Sequence, residues 1–276
     1  MCRLLGVVTS RPAPLAELLA DDLDQFRALA DEHCDGWGIA HHPAQHHADH
    51  PTGRPAAGRD TPVVHRSPRH ALDGTAFTDA VAAGRTAAAL LHLRKASAGM
   101  AVTPANTHPF AGDGVALAHN GFFTPRAAVD ALLPDAGAGC AGDTDSERYF
   151  ALVRARLAAD PGRLPPHLAL RDAAAAISGV AQVESLNALL LTPDALYAYA
   201  RYEPQVVAAR NGDAHSYGMA YRVDHTVDGA WRVVVASNGW EQPSPAWRPL
   251  PNGSVLEATR GGVVRVHDFG AWRRRA

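Results

Sequence analysis

Two short apolar runs constrain the fold of this chain most strongly, because neither has the period of a helix. They span residues 87–93 (AAALLHL) and 115–118 (VALA), and polar residues follow each of them directly. A continuous apolar run of this length is typical of a strand buried on both faces. Residues that directly follow buried strands can be brought close together in the fold. We therefore expect functional residues in the loops after these two runs.

The rest of the pattern predicts four helices and eight further strands. The helices are expected at 15–29, where leucines recur at helical spacing, and at 75–83, 144–159 and 171–177. The further strands are expected at 2–10, 36–40, 62–66, 186–192, 196–202, 216–223, 231–236 and 262–266. The sequence thus predicts an α+β fold with two largely antiparallel sheets covered by helices. With no internal repeat and no evident linker, we expect one domain over residues 1–276.

The segment 41–61 differs in composition from its surroundings. It combines alanine, proline, glycine and arginine with five histidines: His41, His42, His46, His47 and His50. Histidine clusters can bind metal, but the spacing is irregular and no acidic or cysteine ligands are fixed beside them. We expect a flexible, solvated insertion between two strands, and we predict no metal ligands in the chain.

Charge and cysteine content exclude several classes of protein. A net charge of −2 and a pI near 6.7 give no general attraction to nucleic acid or to an anionic membrane. Three cysteines, at positions 2, 34 and 140, form no disulfide framework and no zinc motif. No run approaches the ~20 apolar residues of a membrane helix, and no signal-peptide pattern is present. We expect a soluble, cytoplasmic protein without nucleic-acid or membrane partners.

Cys2 directly follows the initiator methionine. Removal of Met1 would give one residue both a thiol and a terminal amine, whose usual pKa of roughly 7.7–8.0 suits proton transfer to and from sulfur. Free cysteines are more often buried small hydrophobes. Position alone therefore leaves Cys2 either a nucleophile or the first apolar residue of a strand.

Four further residues have the chemistry of a site that binds an amide substrate and cleaves it. Arg94 could bind a carboxylate through its planar guanidinium, and Asp145 could bind an ammonium group. Asn120 and Gly121 offer a side-chain amide and an unhindered backbone N–H to an oxyanion. Each has an ordinary explanation as well, as a surface charge, a helix start or a hairpin turn.

Taken together, the motifs of residues 2–147 resemble the class II glutamine amidotransferases, which are N-terminal nucleophile hydrolases. The motifs are MCR at 1–3, DGWG at 35–38, HLR at 92–94, NTHPF at 106–110, AHNG at 118–121 and GDTDSE at 142–147. More narrowly, the chain is similar to the stand-alone branch that includes bacterial YafJ-like proteins and the γ-glutamyl hydrolase of ergothioneine biosynthesis. Residues 233–237 and 247–251 resemble that branch more loosely.

The resemblance implies a four-layer αββα sandwich of two antiparallel sheets, and a cysteine-dependent hydrolysis of the glutamine γ-amide that needs no metal or organic cofactor. The matching positions imply these roles: nucleophile for Cys2, oxyanion hole for Asn120 and Gly121, α-carboxylate binding for Arg94, a neighbouring hydroxyl for Ser97, and α-amine binding for Asp145. Many synthetase-linked members have RWATH where this chain has RKASA at 94–98. Closure over the substrate is therefore expected to differ.

Three questions stay open at this stage. The substrate is glutamine or a larger γ-glutamyl conjugate, for which the loops around Trp37 and Phe110 would form an extended pocket. Ammonia passes to a separate synthase subunit, or hydrolysis is itself the reaction. The chain could also be an idle homologue that serves as a binding subunit, and retention of Met1 would distinguish that case.

Overall fold

The secondary structure consists mainly of strands, which helices flank on two sides. The computed structural model describes residues 1–44, 61–135, 137, 139–209, 214–225, 229–243 and 245–270. The strands in these ranges are β1 (Arg3–Pro14), β2 (Trp37–Pro43), β3 (Val63–Ser67), β4 (Arg85–Leu93), β5 (Phe110–Gly112), β6 (Val115–Thr124), β7 (Gln182–Leu191), β8 (Ala195–Ala200), β9 (Met219–His225), β10 (Trp231–Ser237), β11 (Arg248–Leu250), β12 (Ser254–Thr259) and β13 (Val264–Asp268). The α-helices are α1 (Leu15–Leu19), α2 (Asp21–Ala28), α3 (Ala76–Ala82), α4 (Arg126–Asp130), α5 (Asp145–Ala159), α6 (Pro166–Val180) and α7 (Pro204–Ala209).

The strands form two sheets, in which the pairs between named strands are antiparallel. The first sheet has seven strands in the order β11-β9-β10-β1-β4-β2-β3, and the second has six in the order β13-β12-β8-β7-β6-β5. The chain's first strand, β1, is therefore the central strand of the first sheet. β6 lies next to the edge of the second sheet.

The two sheets pack face to face, with helices on both outer sides. Aliphatic side chains such as Leu4, Leu90 and Leu189 fill the space between the sheets. Helices α1 to α3 cover the first sheet through residues that include Phe26 and Phe77. Helices α5 and α6 cover the second through a cluster of their own. The four-layer αββα sandwich is thus confirmed, and burial of each large apolar side chain contributes about 1.5–3 kcal/mol to it.

Two local predictions need correction. The helix predicted at 15–29 is broken into α1, α2 and a 3₁₀ turn at Leu29–Asp31, because Ala20 has a φ of 45° and interrupts the helical backbone. The strand predicted at 115–118 continues to Thr124, since pairing with β7 holds it extended. Asn120 and Gly121 therefore lie within a strand rather than in a loop after one.

Other differences concern elements without a strong local pattern. Strands β5, β11 and β12 were not predicted, and two of them are only three residues long. The predicted insertion at 41–61 begins too early, because His41 and His42 are buried in β2 and pair with β4. Its segment 45–60 lies outside the described residues. Within the described ranges, no helix combines the length and apolar composition needed to cross a membrane.

Candidate active site

The start of β1 in the first sheet meets the middle of β6 in the second. The backbone N–H of Cys2 donates a hydrogen bond of 2.8 Å to Oδ1 of Asn120. The Cys2 thiol lies 3.7 Å from the carbonyl oxygen of Lys95, in the loop after β4. Cys2 thereby contacts both of the segments that follow the apolar runs 87–93 and 115–118.

The Asn120 side chain is fully buried and only half satisfied. Because the Cys2 nitrogen is a donor, the amide oxygen of Asn120 must face it. The other end of the amide, Nδ2, is buried without a hydrogen-bond partner among the described residues. An unsatisfied buried donor costs about 1–3 kcal/mol. Here that donor belongs to the same amide group that accepts from Cys2 N.

Gly121 occupies a position where no side chain fits. A Cβ atom there would overlap the carbonyl group of Ser185 and approach Nε2 of His119 to 2.6 Å. The strand pairing causes this close approach, because Gly121 lies opposite Leu186 and Phe122 lies opposite Ser185. The hydroxyl of Ser185 also donates to the carbonyl of Asn120 at 2.9 Å, which fixes the backbone beside the thiol.

Arg94 is a buried cation at the end of β4. Its backbone pairs with the residues before β2, through Arg94 N to Gly36 O at 2.8 Å and Asp35 N to Arg94 O at 3.1 Å. Its guanidinium donates to the carbonyls of Asp35, at 3.4 Å, and Ala101, at 3.1 Å. Among the described residues it forms no ion pair within 4.0 Å, although the negative charge of the Asp35 carboxylate acts on it from a longer distance. Burial lowers the pKa of Arg94, and a carboxylate from a ligand would compensate its charge.

Asp145 is the first residue of α5, where the hydroxyl of Thr144 caps the helix by accepting from Glu147 N at 3.1 Å. Its carboxylate accepts from Phe123 N at 3.0 Å and from Ser146 N at 2.9 Å. The β6–β7 register shifts between Phe122 and Phe123, as at a β-bulge. Asp145 is thus tied to β6 two residues beyond Gly121, and burial raises the pKa of its carboxyl group.

Ser97 makes no described hydrogen bond to the other predicted site residues. It is exposed in the loop after β4, where its carbonyl accepts from Met100 N at 2.9 Å. Within the described part of the chain its hydroxyl makes no hydrogen bond. The structure therefore brings Cys2 and Asn120 into direct contact and links Arg94 and Asp145 to them through backbone neighbours, but leaves Ser97 outside the group.

The rings of Trp37 and Phe110 do not line a pocket of the kind predicted for a larger γ-glutamyl conjugate, because both are buried in the outer cores. Trp37 is buried against Phe77 under the helices of the first sheet, with ring centroids 5.3 Å apart. Phe110 is buried under the helices of the second sheet, against Phe150 at 6.4 Å. Both aromatic rings pack in the outer cores because the alternation of side chains along their strands directs them away from the space between the sheets.

Several supporting residues were missed by sequence reasoning. The carboxylate of Asp35 accepts from Ala96 N at 2.8 Å and so shapes the loop that follows Arg94. The imidazole of His119 bonds the hydroxyl of Ser146 at 2.8 Å and the carbonyl of Ser185 at 3.1 Å. The carbonyl must accept, so Nε2 carries the proton and Nδ1 accepts from Ser146. The DGWG and AHNG motifs marked Asp35 and His119, but gave no indication of these partners.

The buried imidazoles near the site are poor bases. Burial lowers the pKa of His92 to about 3 and also lowers those of His108 and His119. Burial raises the pKa of the Cys2 thiol, whereas the positive charges of the chain terminus and of Arg94 act in the opposite direction. Ionisation of this thiol therefore depends on a nearby base and a nearby cation.

Comparisons with known proteins agree with the fold. The family profile described as "Glutamine amidotransferases class-II" matches residues 1–274. No curated protein matches the chain. A glutamine aminotransferase class-II domain protein from Silicibacter pomeroyi is 21% identical with a TM-score of 0.63, over 98% of this chain and 100% of that chain.

Two further solved structures share the fold. A predicted glutamine amidotransferase from Pseudomonas aeruginosa is 20% identical with a TM-score of 0.54, over 95% of this chain and 99% of that one. The glutamine phosphoribosylpyrophosphate amidotransferase of B. subtilis, complexed with ADP and GMP, is 13% identical with a TM-score of 0.59, over 98% of this chain and 49% of that one.

Proposed function

Because the chain belongs to the class II glutamine amidotransferases, we propose that it hydrolyses the γ-amide of glutamine with Cys2 as the nucleophile. The observation that carries this proposal is the contact of Cys2 N with Asn120 Oδ1, in an amide whose buried Nδ2 has no partner among the described residues. This arrangement combines a nucleophile with a donor aimed at developing negative charge.

Removal of Met1 would convert the Cys2 amide nitrogen into a primary amine without changing its role as donor to Asn120. The amine takes the thiol proton, and the thiolate attacks the δ-carbonyl carbon of glutamine. Asn120 Nδ2 and the Gly121 N–H donate to the resulting oxyanion. The ammonium then protonates the leaving nitrogen, ammonia departs, and a thioester remains. Water attacks the thioester and releases glutamate and the thiol.

Charge complementarity supports an amino acid as the substrate. The Arg94 guanidinium, which has only neutral protein acceptors among the described residues, would bind the α-carboxylate. The Asp145 carboxylate, held by two backbone N–H groups, would bind the α-ammonium. Ser97 would join the site only through movement of its exposed loop. We assign the protein to the stand-alone branch, in which ammonia passes to a separate synthase or hydrolysis is the whole reaction.

The test combines the mature N-terminus with labelling of the thiol. Mass spectrometry of active protein should show that Met1 is removed, and a glutamine-mimicking diazoketone should alkylate Cys2 stoichiometrically. Cys2→Ala should lower glutaminase kcat by at least about 10⁴-fold, as loss of a covalent nucleophile does. The matched variant Cys34→Ala, at an exposed cysteine, should keep full activity. Active enzyme that retains Met1, or labelling of Cys34 in place of Cys2, would overturn the proposal.

A further inference from the structure

A second group of ionisable side chains lies far along the second sheet from the candidate active site. It consists of His167 in α6, Glu257 in β12 and His267 in β13. Strands β8 and β7 separate β12 from β6 in the sheet. One ligand atom from each of the three residues lies within 4.8 Å of the other two. The group therefore connects a covering helix to the last two strands of the sheet.

Strand register places the two sheet residues side by side. Glu257 pairs with Arg265, and Val255 pairs with His267, so Glu257 and His267 are diagonal neighbours on one face. Nε2 of His267 lies 2.7 Å from a carboxylate oxygen of Glu257. The hydroxyl of Tyr197, in β8, donates to the other oxygen at 3.4 Å. The carboxylate is thus oriented by contacts on both sides.

The helix residue completes the group from above the sheet. The rings of His167 and His267 stack with centroids 3.8 Å apart and planes 10° apart. Nδ1 of His167 is buried and has no hydrogen-bond partner in the described part of the chain. A buried ring nitrogen without a partner is costly, and a metal ion is a ligand that an imidazole lone pair can bind.

We propose that His167, Glu257 and His267 bind one divalent transition-metal ion, for which Zn²⁺ is the best match. Two imidazoles and one carboxylate form a donor set that suits Zn²⁺ and disfavours Ca²⁺ and Mg²⁺, which take oxygen ligands. Ligand atoms around tetrahedral zinc are about 3.3 Å apart, given bond lengths of about 2.0–2.1 Å. The ligand atoms now lie within 4.8 Å of one another, and binding would require the two stacked imidazole rings to rotate until a nitrogen of each points at the ion.

The metal would fasten α6 to the β12–β13 hairpin. Its fourth coordination position would face solvent, because all three residues are partly exposed. Tyr197 would hold the carboxylate ligand in place, as outer contacts of metal ligands commonly do. The site takes no part in amide hydrolysis, since two strands separate it from β6. Its loss should therefore affect stability and leave turnover unchanged.

The histidine-rich segment complicates the test, because His46, His47 and His50 could also bind metal. The experiment measures Zn²⁺ binding by isothermal titration calorimetry on the full chain and on two variants, His167→Ala and the triple variant His46→Ala/His47→Ala/His50→Ala. Co²⁺ substitution supplies a second readout through its tetrahedral absorption bands. The wild type and the triple variant should bind one ion with equal affinity, and His167→Ala should bind it at least about 100-fold more weakly.

Thermal unfolding gives an independent readout. Zn²⁺ at 100 times its Kd should raise the wild-type Tm by about 5 °C and leave the Tm of Glu257→Gln nearly unchanged. Loss of binding in the triple variant with retention in His167→Ala would overturn the proposal. So would full-length protein that binds no Zn²⁺ or Co²⁺, because the three residues would then be an ion pair with a stacked ring. Neither outcome bears on Cys2, so the result is separable from the glutaminase proposal.

Discussion

Two buried asparagines face each other across neighbouring strands of the second sheet, and their surroundings differ. Asn120 in β6 and Asn187 in β7 are direct cross-strand partners, and both side chains are fully buried. Asn187 is satisfied at both ends, because Nδ2 donates to Tyr217 O at 2.6 Å and Oδ1 accepts from Arg201 N at 2.6 Å. Asn120 is satisfied only at Oδ1. The same residue type thus stabilises the fold at one position and leaves a donor available at the other.

The buried arginines near these asparagines show the same contrast. Arg201 forms an ion pair with Glu203 and also donates to the carbonyl of Tyr202 at 3.0 Å. Arg94 has only carbonyl acceptors among the described residues. A buried charge or a buried donor that lacks full partners lowers the free energy of unfolding. The incomplete partners of Asn120 and Arg94 therefore distinguish the proposed substrate-binding region from the adjacent region around Asn187 and Arg201.

Within this comparison, the largest expected effect concerns Asn120. Asn120→Ala should lower kcat by about 10²–10³-fold with little change in KM, because the Nδ2 donor acts mainly where charge develops in the transition state. The free energy of unfolding should fall by less than in Asn187→Ala, since Cys2 N is the one protein group that loses its described hydrogen-bond partner. Steady-state kinetics and urea unfolding of the same variant check both statements. Turnover close to wild type would show that Asn120 only shapes the strand.

Substitution of Arg94 should have a somewhat smaller effect, and the affected kinetic constant is kcat/KM. Arg94→Ala should lower kcat/KM by roughly 30- to 1,000-fold, which corresponds to loss of a charge-assisted contact of about 2–4 kcal/mol. Arg94→Lys should recover only part of this loss, because an ammonium cannot reproduce the planar guanidinium. The measurement compares glutamine with an analogue that lacks the α-carboxylate.

That analogue makes the assignment falsifiable. Wild type should discriminate strongly against it, and Arg94→Ala should hardly discriminate at all. Equal discrimination by both proteins would show that Arg94 does not bind the carboxylate.

The sequence predicted the layered fold because buried strands and amphipathic helices each have a characteristic local pattern of apolar residues. It also predicted that Cys2, Asn120 and Asp145 belong together, because their motifs resemble those of a known family. It could not predict that Ser185 fixes the backbone of Asn120, since that contact depends on the register of two strands 65 residues apart in the chain. The packing of Trp37 depends likewise on tertiary contacts, whereas nothing in the local sequence marks the positive φ of Ala20.

The group of His167, Glu257 and His267 could not be predicted from local sequence patterns. The visible histidine cluster at 41–50 drew the only metal hypothesis that the sequence offered. The three residues that the structure brings together are separated by 90 and by 10 positions and belong to no motif. Helix packing on the sheet brings them together, and no local pattern encodes that packing.

The smallest expected effect concerns Asn187 and tests the other half of the comparison. Asn187→Ala leaves Arg201 N and Tyr217 O without their side-chain partner, and each buried unsatisfied group costs about 1–3 kcal/mol, less whatever relaxation recovers. We expect a loss of about 2 kcal/mol in the free energy of unfolding and a kcat within about twofold of wild type. Urea unfolding and glutaminase kinetics on Asn187→Ala, measured beside Asn120→Ala, separate the two roles. The contrary outcome is a folded Asn187→Ala variant whose kcat falls as strongly as that of Asn120→Ala. Both amides would then serve the same site. Hydrogen-bond satisfaction would in that case not distinguish the substrate-binding region from the structural one.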